Sequence, residues 1–179
     1  MRPVRWLNEI TEHDHAEVGG KAFVLGRLRQ AGFPVPDGFV IAAGAAWGDA
    51  ERALAARAFA TLGAPVAVRS SGTAEDGASA SFAGQYLTVL DVKDEAHLLE
   101  SIGRCRAAVA GAGAYAGALS ASTGAMAVLV QRFIEPRTAG VVFTRDPRDA
   151  SRALVEAFAG RGEELVSGRV TPSGLKTPT

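Results

Sequence analysis

The run Val66-Ala67-Val68-Arg69, leading into Ser70-Ser71-Gly72-Thr73, constrains this chain more than any other segment. A short apolar strand delivers an arginine into a stretch that continues through Ala78-Ser79-Ala80-Ser81-Phe82-Ala83-Gly84-Gln85, built largely from glycine, alanine, serine and threonine. Small side chains let the backbone come close to a bulky anion, which free N–H and hydroxyl groups can then hydrogen-bond. An arginine at the rim adds a permanent, planar, bidentate positive charge. A polyphosphate is held in this way. Composition alone leaves a second reading open, a flexible surface loop, because Gly/Ser-rich segments are commonly linkers.

A second segment bears on the same choice. Val18-Gly19-Gly20-Lys21 opens a stretch with helical spacing that runs to Ala31-Gly32. The spacing predicts a helix over about Gly20 to Ala31, with Phe23, Val24 and Leu28 facing a core and Arg27 and Gln30 facing water. Two glycines and a lysine at a helix start put free backbone donors and an ammonium at the positive end of the helix dipole, an anion site. The plainer alternative is an N-terminal turn with a solvated lysine.

Charge and composition narrow the classes of partner. Lysine plus arginine equals aspartate plus glutamate, 19 each, so no overall charge draws this chain to nucleic acid or to an acidic membrane. Any anion binding must come from local geometry. At 179 residues and 47% hydrophobic, the chain has one domain's length and enough apolar content for a core. Cys105 is the single cysteine, which excludes an intrachain disulfide and a cysteine-based zinc site. No apolar run approaches ~20 residues, and Met-Arg-Pro-Val-Arg-Trp lacks the apolar core of a signal peptide. A cytoplasmic protein is expected.

Further elements alternate along the chain. Gly38 to Ile41 reads as a short strand, and Ala45 to Leu62 as an alanine-rich helix ended by Gly63, with Trp47, Leu54 and Phe59 as its apolar members. Strands are expected at Val66 to Arg69 and around Tyr86 to Leu90, then a helix from Asp94 to about Ala110 with Asp94 in its first turn. Two buried-type strands, Ala127 to Ile134 and Gly140 to Thr144, are joined by a turn at Pro136, and Arg152 to Phe158 adds another. The Gly/Ala-rich stretch from Ala107 to Ala127 reads as a helix pair or a hinge. The fold class expected is α+β.

Four blocks in order carry a family resemblance: VGGKAFVLGRLRQAGFPVPDGFV (18–40), VRSSGTAEDGASASFAGQYLTVL (68–90), AVLVQRFIEPRTAGVVFTRDP (127–147) and LVEAFAGRGEELVSGRVTP (154–172). Together they resemble the nucleotide-binding domain shared by phosphoenolpyruvate synthase, pyruvate phosphate dikinase and the rifampicin phosphotransferases. The Ser-Phe-Ala-Gly-Gln ending of the second block is nearer to the synthase and rifampicin branch. The resemblance implies an ATP-grasp-like domain, incomplete at the C-terminus. About 1–90 would form a first lobe with the phosphate loop, about 91–145 a lid-like subdomain, and 146–179 a return to the first lobe. The spacer between Ile41 and Ala64 is shorter than in the large members.

Residue by residue, the resemblance assigns Lys21 and Arg69 to the phosphates of ATP, with Arg69 reaching the transferred groups. It sets Gly84 and Thr88 near the nucleotide and Gln131 on the adenine side. Read without the resemblance, Gln131 is an edge-strand polar residue facing water. Magnesium is implied as cofactor, but its acidic ligands fall beyond this sequence, so no metal residue is assigned. The phospho-accepting histidine domain is likewise implied to lie in a missing segment or a partner chain. The alternative is a non-catalytic nucleotide-binding or interaction subunit. The phosphoryl acceptor stays open among pyruvate, an antibiotic and other small molecules.

Other polar residues carry plainer expectations. Glu75 and Asp76 would repel a phosphate and are expected to stiffen their turn or face solvent. Arg145 and Asp146, in Thr144-Arg145-Asp146-Pro147, read as a turn and an ion pair. His13 and His15 read as solvated rather than metal-bound, and His97 as a surface histidine on a helix.

Overall fold

Apolar side chains concentrated in five short strands build the main sheet. In the computed structural model, which describes residues 2–72, 87–112, 126–146, 149, 151–162 and 173–178, these strands belong to a first compact unit, Met1–Phe133. They are β1 (Val4–Trp6), β2 (Gly38–Ile41), β3 (Val66–Ser71), β4 (Thr88–Val92) and β5 (Ala127–Arg132). The order across the sheet is β1-β2-β5-β3-β4, and every neighbouring pair is antiparallel. The last of these five strands along the chain thus occupies the middle of the sheet.

Side chains alternate between the two faces of each strand, and helices cover both faces. Phe39, Ile41, Val66, Val68, Val128 and Val130 meet Ala55, Ala58, Phe59 and Leu62 of α2 (Asp49–Leu62) and Leu98, Ile102 and Cys105 of α3 (Glu95–Ala112). On the opposite face Val40, Ala127 and Leu129 meet Val18 and Ala22 of α1 (His15–Gln30), with Leu7 and Ile10 beside them. The expected positions of α1, α2, α3 and of β2 to β5 hold to within a few residues, whereas β1 had no counterpart in the sequence reading. The α2 helix begins at Asp49, so Trp47 lies before it, half-buried between the Arg52 and Arg106 guanidinium groups, 6.0 and 5.9 Å from its ring. Gly63 ends α2 with a φ of 82°, its N–H bonding the Phe59 carbonyl at 2.9 Å. The Asp94 carboxylate caps α3, accepting the His97 N–H at 2.8 Å.

The buried face of α1 is not the one expected. Val24 and Leu28 are 49% and 37% exposed, whereas Val18, Ala22 and Gly26 are buried. A Cβ at Gly26 would stand 3.0 Å from Ile10 Cβ and 3.0 Å from the Leu7 carbonyl oxygen. The helix packs close through small residues, which leaves Val24 and Leu28 outside, while Phe23 is partly buried against the core as expected.

The second unit, Ile134–Thr179, contains β6 (Thr138–Phe143), β7 (Arg152–Ala159) and β8 (Ser173–Pro178) in that order, all antiparallel. The contacts group the chain into two units divided once, after Phe133. β6 was expected to be buried, yet Val142 and Phe143 are 63% and 43% exposed. β8 had no counterpart in the sequence reading. The turn at Asp146 is formed: its N–H bonds the Arg152 carbonyl at 2.7 Å, and the Asp149 N–H bonds its own carbonyl at 3.1 Å. Arg145 is exposed.

Candidate functional site

The C-terminal end of β3 is where the expected phosphate residues converge. Val66 and Val68 face α2 and α3, so strand alternation turns Ala67, Arg69 and Ser71 toward the face covered by α1. Arg69 sits opposite Leu129 on one side and Thr88 on the other. Its side chain is half-buried, and its Nε is buried with no hydrogen-bond partner. A buried guanidinium N–H left unpaired costs free energy that an acceptor from a ligand would recover. That orphaned donor fits an anion at this place.

Lys21 reaches the same strand end through the backbone. Gly19, with φ 75° and ψ 164°, breaks the helical path after a first turn, and the regular part of α1 starts at Gly20. The Gly20 N–H donates to the Gly72 carbonyl at 2.9 Å, and the Ala22 N–H to Ser71 Oγ at 3.2 Å. Only glycine fits at position 19, because a Cβ there would lie 2.2 Å from the Ser71 carbonyl oxygen and the conformation is essentially restricted to glycine. Lys21, half-buried, stands between these two tethered amides. Two of the helix-start donors expected to be free for an anion are therefore engaged by Gly72 and Ser71.

The serine hydroxyls at the start of the loop are engaged as well. Ser70 faces the α2–α3 side, and its Oγ accepts the Leu87 N–H at 3.1 Å while its own N–H donates to the Leu87 carbonyl at 2.9 Å. Cys105 Sγ donates to that same carbonyl at 3.7 Å. Burial pushes the Cys105 thiol above its ordinary range, so it stays protonated and acts as a small apolar residue with a weak donor. Leu87 is thus pinned to β3 and Gly72 to the start of α1. Gly84, Glu75 and Asp76 lie outside the described residues.

The remaining two candidates are placed differently. Thr88 opens the edge strand β4, exposed, directly across from Arg69. Gln131 sits on the central strand β5, 9% exposed, and its Nε2 donates to the Pro36 carbonyl at 3.1 Å. It is neither on an edge nor facing water. Its register partners are Gly38 and Ala67, two positions along β5 from the residue facing Arg69. His13 is exposed, and His15 packs edge-on against Phe23, with centroids 5.0 Å apart. Among the described residues, no group of three or more His, Cys, Asp or Glu side chains is placed to hold a metal ion. None of their helices is long and apolar enough to cross a membrane.

An antiparallel sheet clothed by helices carries, at one strand end, an unpaired arginine donor beside a Gly-Gly-Lys helix start. The sequence profile described as pyruvate phosphate dikinase, AMP/ATP-binding domain, matches residues 47–177, and the chain belongs to that family. The match takes in Arg69, Thr88 and Gln131; Lys21 precedes it. Phosphoenolpyruvate synthase of Aeropyrum pernix is 32% identical over 228 residues, covering 96% of this chain and 28% of that protein. A rifampicin phosphotransferase of a Streptomyces species is 36% identical over 221 residues, covering 94% of this chain and 26% of its own length. The prodigiosin synthesizing transferase PigC of Serratia marcescens is 35% identical over 188 residues, covering 86% and 21%. This chain therefore spans between a fifth and a third of each. The 228-residue alignment exceeds the 179 residues here, so the Aeropyrum protein carries internal segments that this chain lacks.

Proposed function

We propose that this chain is the phosphate-holding part of an ATP-dependent phosphotransferase. In that reading Arg69 and Lys21 grip the polyphosphate of ATP for transfer to a histidine on a domain outside the present sequence or on a partner. The observation that carries the reading is the buried, unpaired Nε of Arg69 at the end of β3, beside the Gly19-Gly20-Lys21 start of α1. Family membership supports it independently.

ATP, when bound, supplies the phosphoryl group. Arg69 contributes a fixed fork of donors, and because its strand is hydrogen-bonded on both sides it moves little as charge builds on the phosphate oxygens. The Lys21 ammonium adds a second positive charge from the helix start. In this reading Gly84, outside the described residues, and Thr88, whose hydroxyl lies on the strand opposite Arg69, are assigned to the nucleotide, and Gln131 to its adenine side. Magnesium belongs to this reading as the family's cofactor, but the described residues form no site for it.

Calorimetric titration of the chain with ATP, with and without magnesium, tests the proposal. Saturable binding is expected, and Arg69→Ala should weaken it by about 1.5–3 kcal/mol, the size of a charge-assisted hydrogen bond. An unchanged affinity would remove Arg69 from the site. A folded chain that binds no ATP would overturn the reading and favour an interaction subunit.

A further inference from the structure

We infer that Ser71 is a positioning residue for ATP, one that acts through Lys21; this rests on the phosphate-holding role proposed above. Its side chain is completely buried, so it does not itself meet the ligand. What it meets is the Ala22 amide, one residue past Lys21. The residue after it, Gly72, takes the amide one residue before Lys21. Ser71, the last residue of β3, and Gly72, just after it, thereby hold both neighbours of the lysine. Arg69, two residues earlier on the same face of the same strand, is fixed to the same frame.

The source of this cap distinguishes positioning from ordinary helix stabilisation. A helix start is commonly capped by a Ser, Thr, Asp or Asn immediately before it, which satisfies the amides and leaves the helix free to move as a body. Here position 19 is glycine and has no side chain to offer. The acceptor comes instead from a strand 49 residues away in sequence. A local cap would serve helix stability equally well but would not set the distance between Lys21 and Arg69. The absence of space at Gly19, filled by the Ser71 carbonyl and hydroxyl, makes the contact close and unadjustable.

A double-mutant cycle on the full chain, read by ATP titration and by thermal unfolding, tests this. Removing one capping acceptor should weaken ATP binding by about 5- to 10-fold in Ser71→Ala. Once Lys21→Ala is present, adding Ser71→Ala should cost nothing further, because the residue through which Ser71 acts is gone. Ser71→Cys keeps the volume but accepts a hydrogen bond poorly, and carries the same expectation should Ser71→Ala fail to fold. Losses that multiply in the double variant would mark Ser71 as merely structural and overturn the inference. So would a loss in Ser71→Ala where Lys21→Ala has none, or an unchanged affinity in Ser71→Ala. If the parent chain binds no ATP, the phosphate-holding reading falls and takes this one with it; if the parent binds and only the coupling is absent, the positioning role alone falls.

Discussion

Asp14 ties the N-terminal strand to the first helix. Its carboxylate accepts the Thr11 N–H and the Thr11 hydroxyl, both at 2.8 Å, and pairs with Arg5, which also pairs with Glu17 at 2.7 Å. Burial alone would raise its pKa, but the Thr11 bonds and the Arg5 charge outweigh burial and hold it below the ordinary 3.8. The native state then binds fewer protons than the unfolded chain across that range. Its contribution to stability is complete above the unfolded value and lost as pH falls through the folded one. Asp14→Asn should therefore flatten the acid limb of the urea-midpoint profile between about pH 5 and pH 2; a limb as steep as the parent's would remove Asp14 from the acid response. Charge chemistry of this sort is partly legible in a sequence. Lys21 and Arg69 stand out because each is a lone cation among small residues. The serines beside Arg69 mislead for the same reason: a sequence shows a hydroxyl, not the distant backbone group that has already claimed it, as Leu87 claims Ser70 and Ala22 claims Ser71.

At the scale of elements, the strands were legible and the packing of α1 was not. Strands such as Val66–Ser71 are short apolar runs bounded by glycine or proline, and little else accommodates them. The α1 helix was oriented by its larger apolar residues, but a helix buries whichever stripe allows the closest approach, and here that stripe is Val18, Ala22 and Gly26. Gly26→Val should overpack against Ile10 and Leu7 and cost about 1–3 kcal/mol. Leu28→Glu, on the exposed side, should stay within about 0.5 kcal/mol. Chemical denaturation of the two variants separates these outcomes, and the reverse ranking would restore the larger-residue face to the core. β8 has no counterpart in the sequence reading because Ser-Gly-Leu-Lys-Thr-Pro lacks apolar alternation and has Leu175 as its one large apolar residue; a strand ending in proline suits an edge, and β8 is one.

For the molecule as a whole, both apolar clusters belong entirely to Met1–Phe133. Along β6 and β7 no position is fully buried. A fragment ending at Phe133 should unfold in one cooperative transition, while 134–179 alone should show none, since among the described residues its three-stranded sheet has no fully buried position to supply a core. Calorimetry of the two fragments checks this, and a featureless trace for 1–133 would mean that its core depends on the rest. The place of β5 has one more consequence, for how the chain is made. A ribosome completes β1 with β2, and β3 with β4, before it begins Ala127. The nascent chain then carries two separate strand pairs whose inner edges stay open until Arg132 emerges, the period in which edge-to-edge association or chaperone capture is open to it. Protease added to chains stalled at successive lengths should cut freely until that strand is out, and protection appearing earlier would show that the sheet can close without its centre.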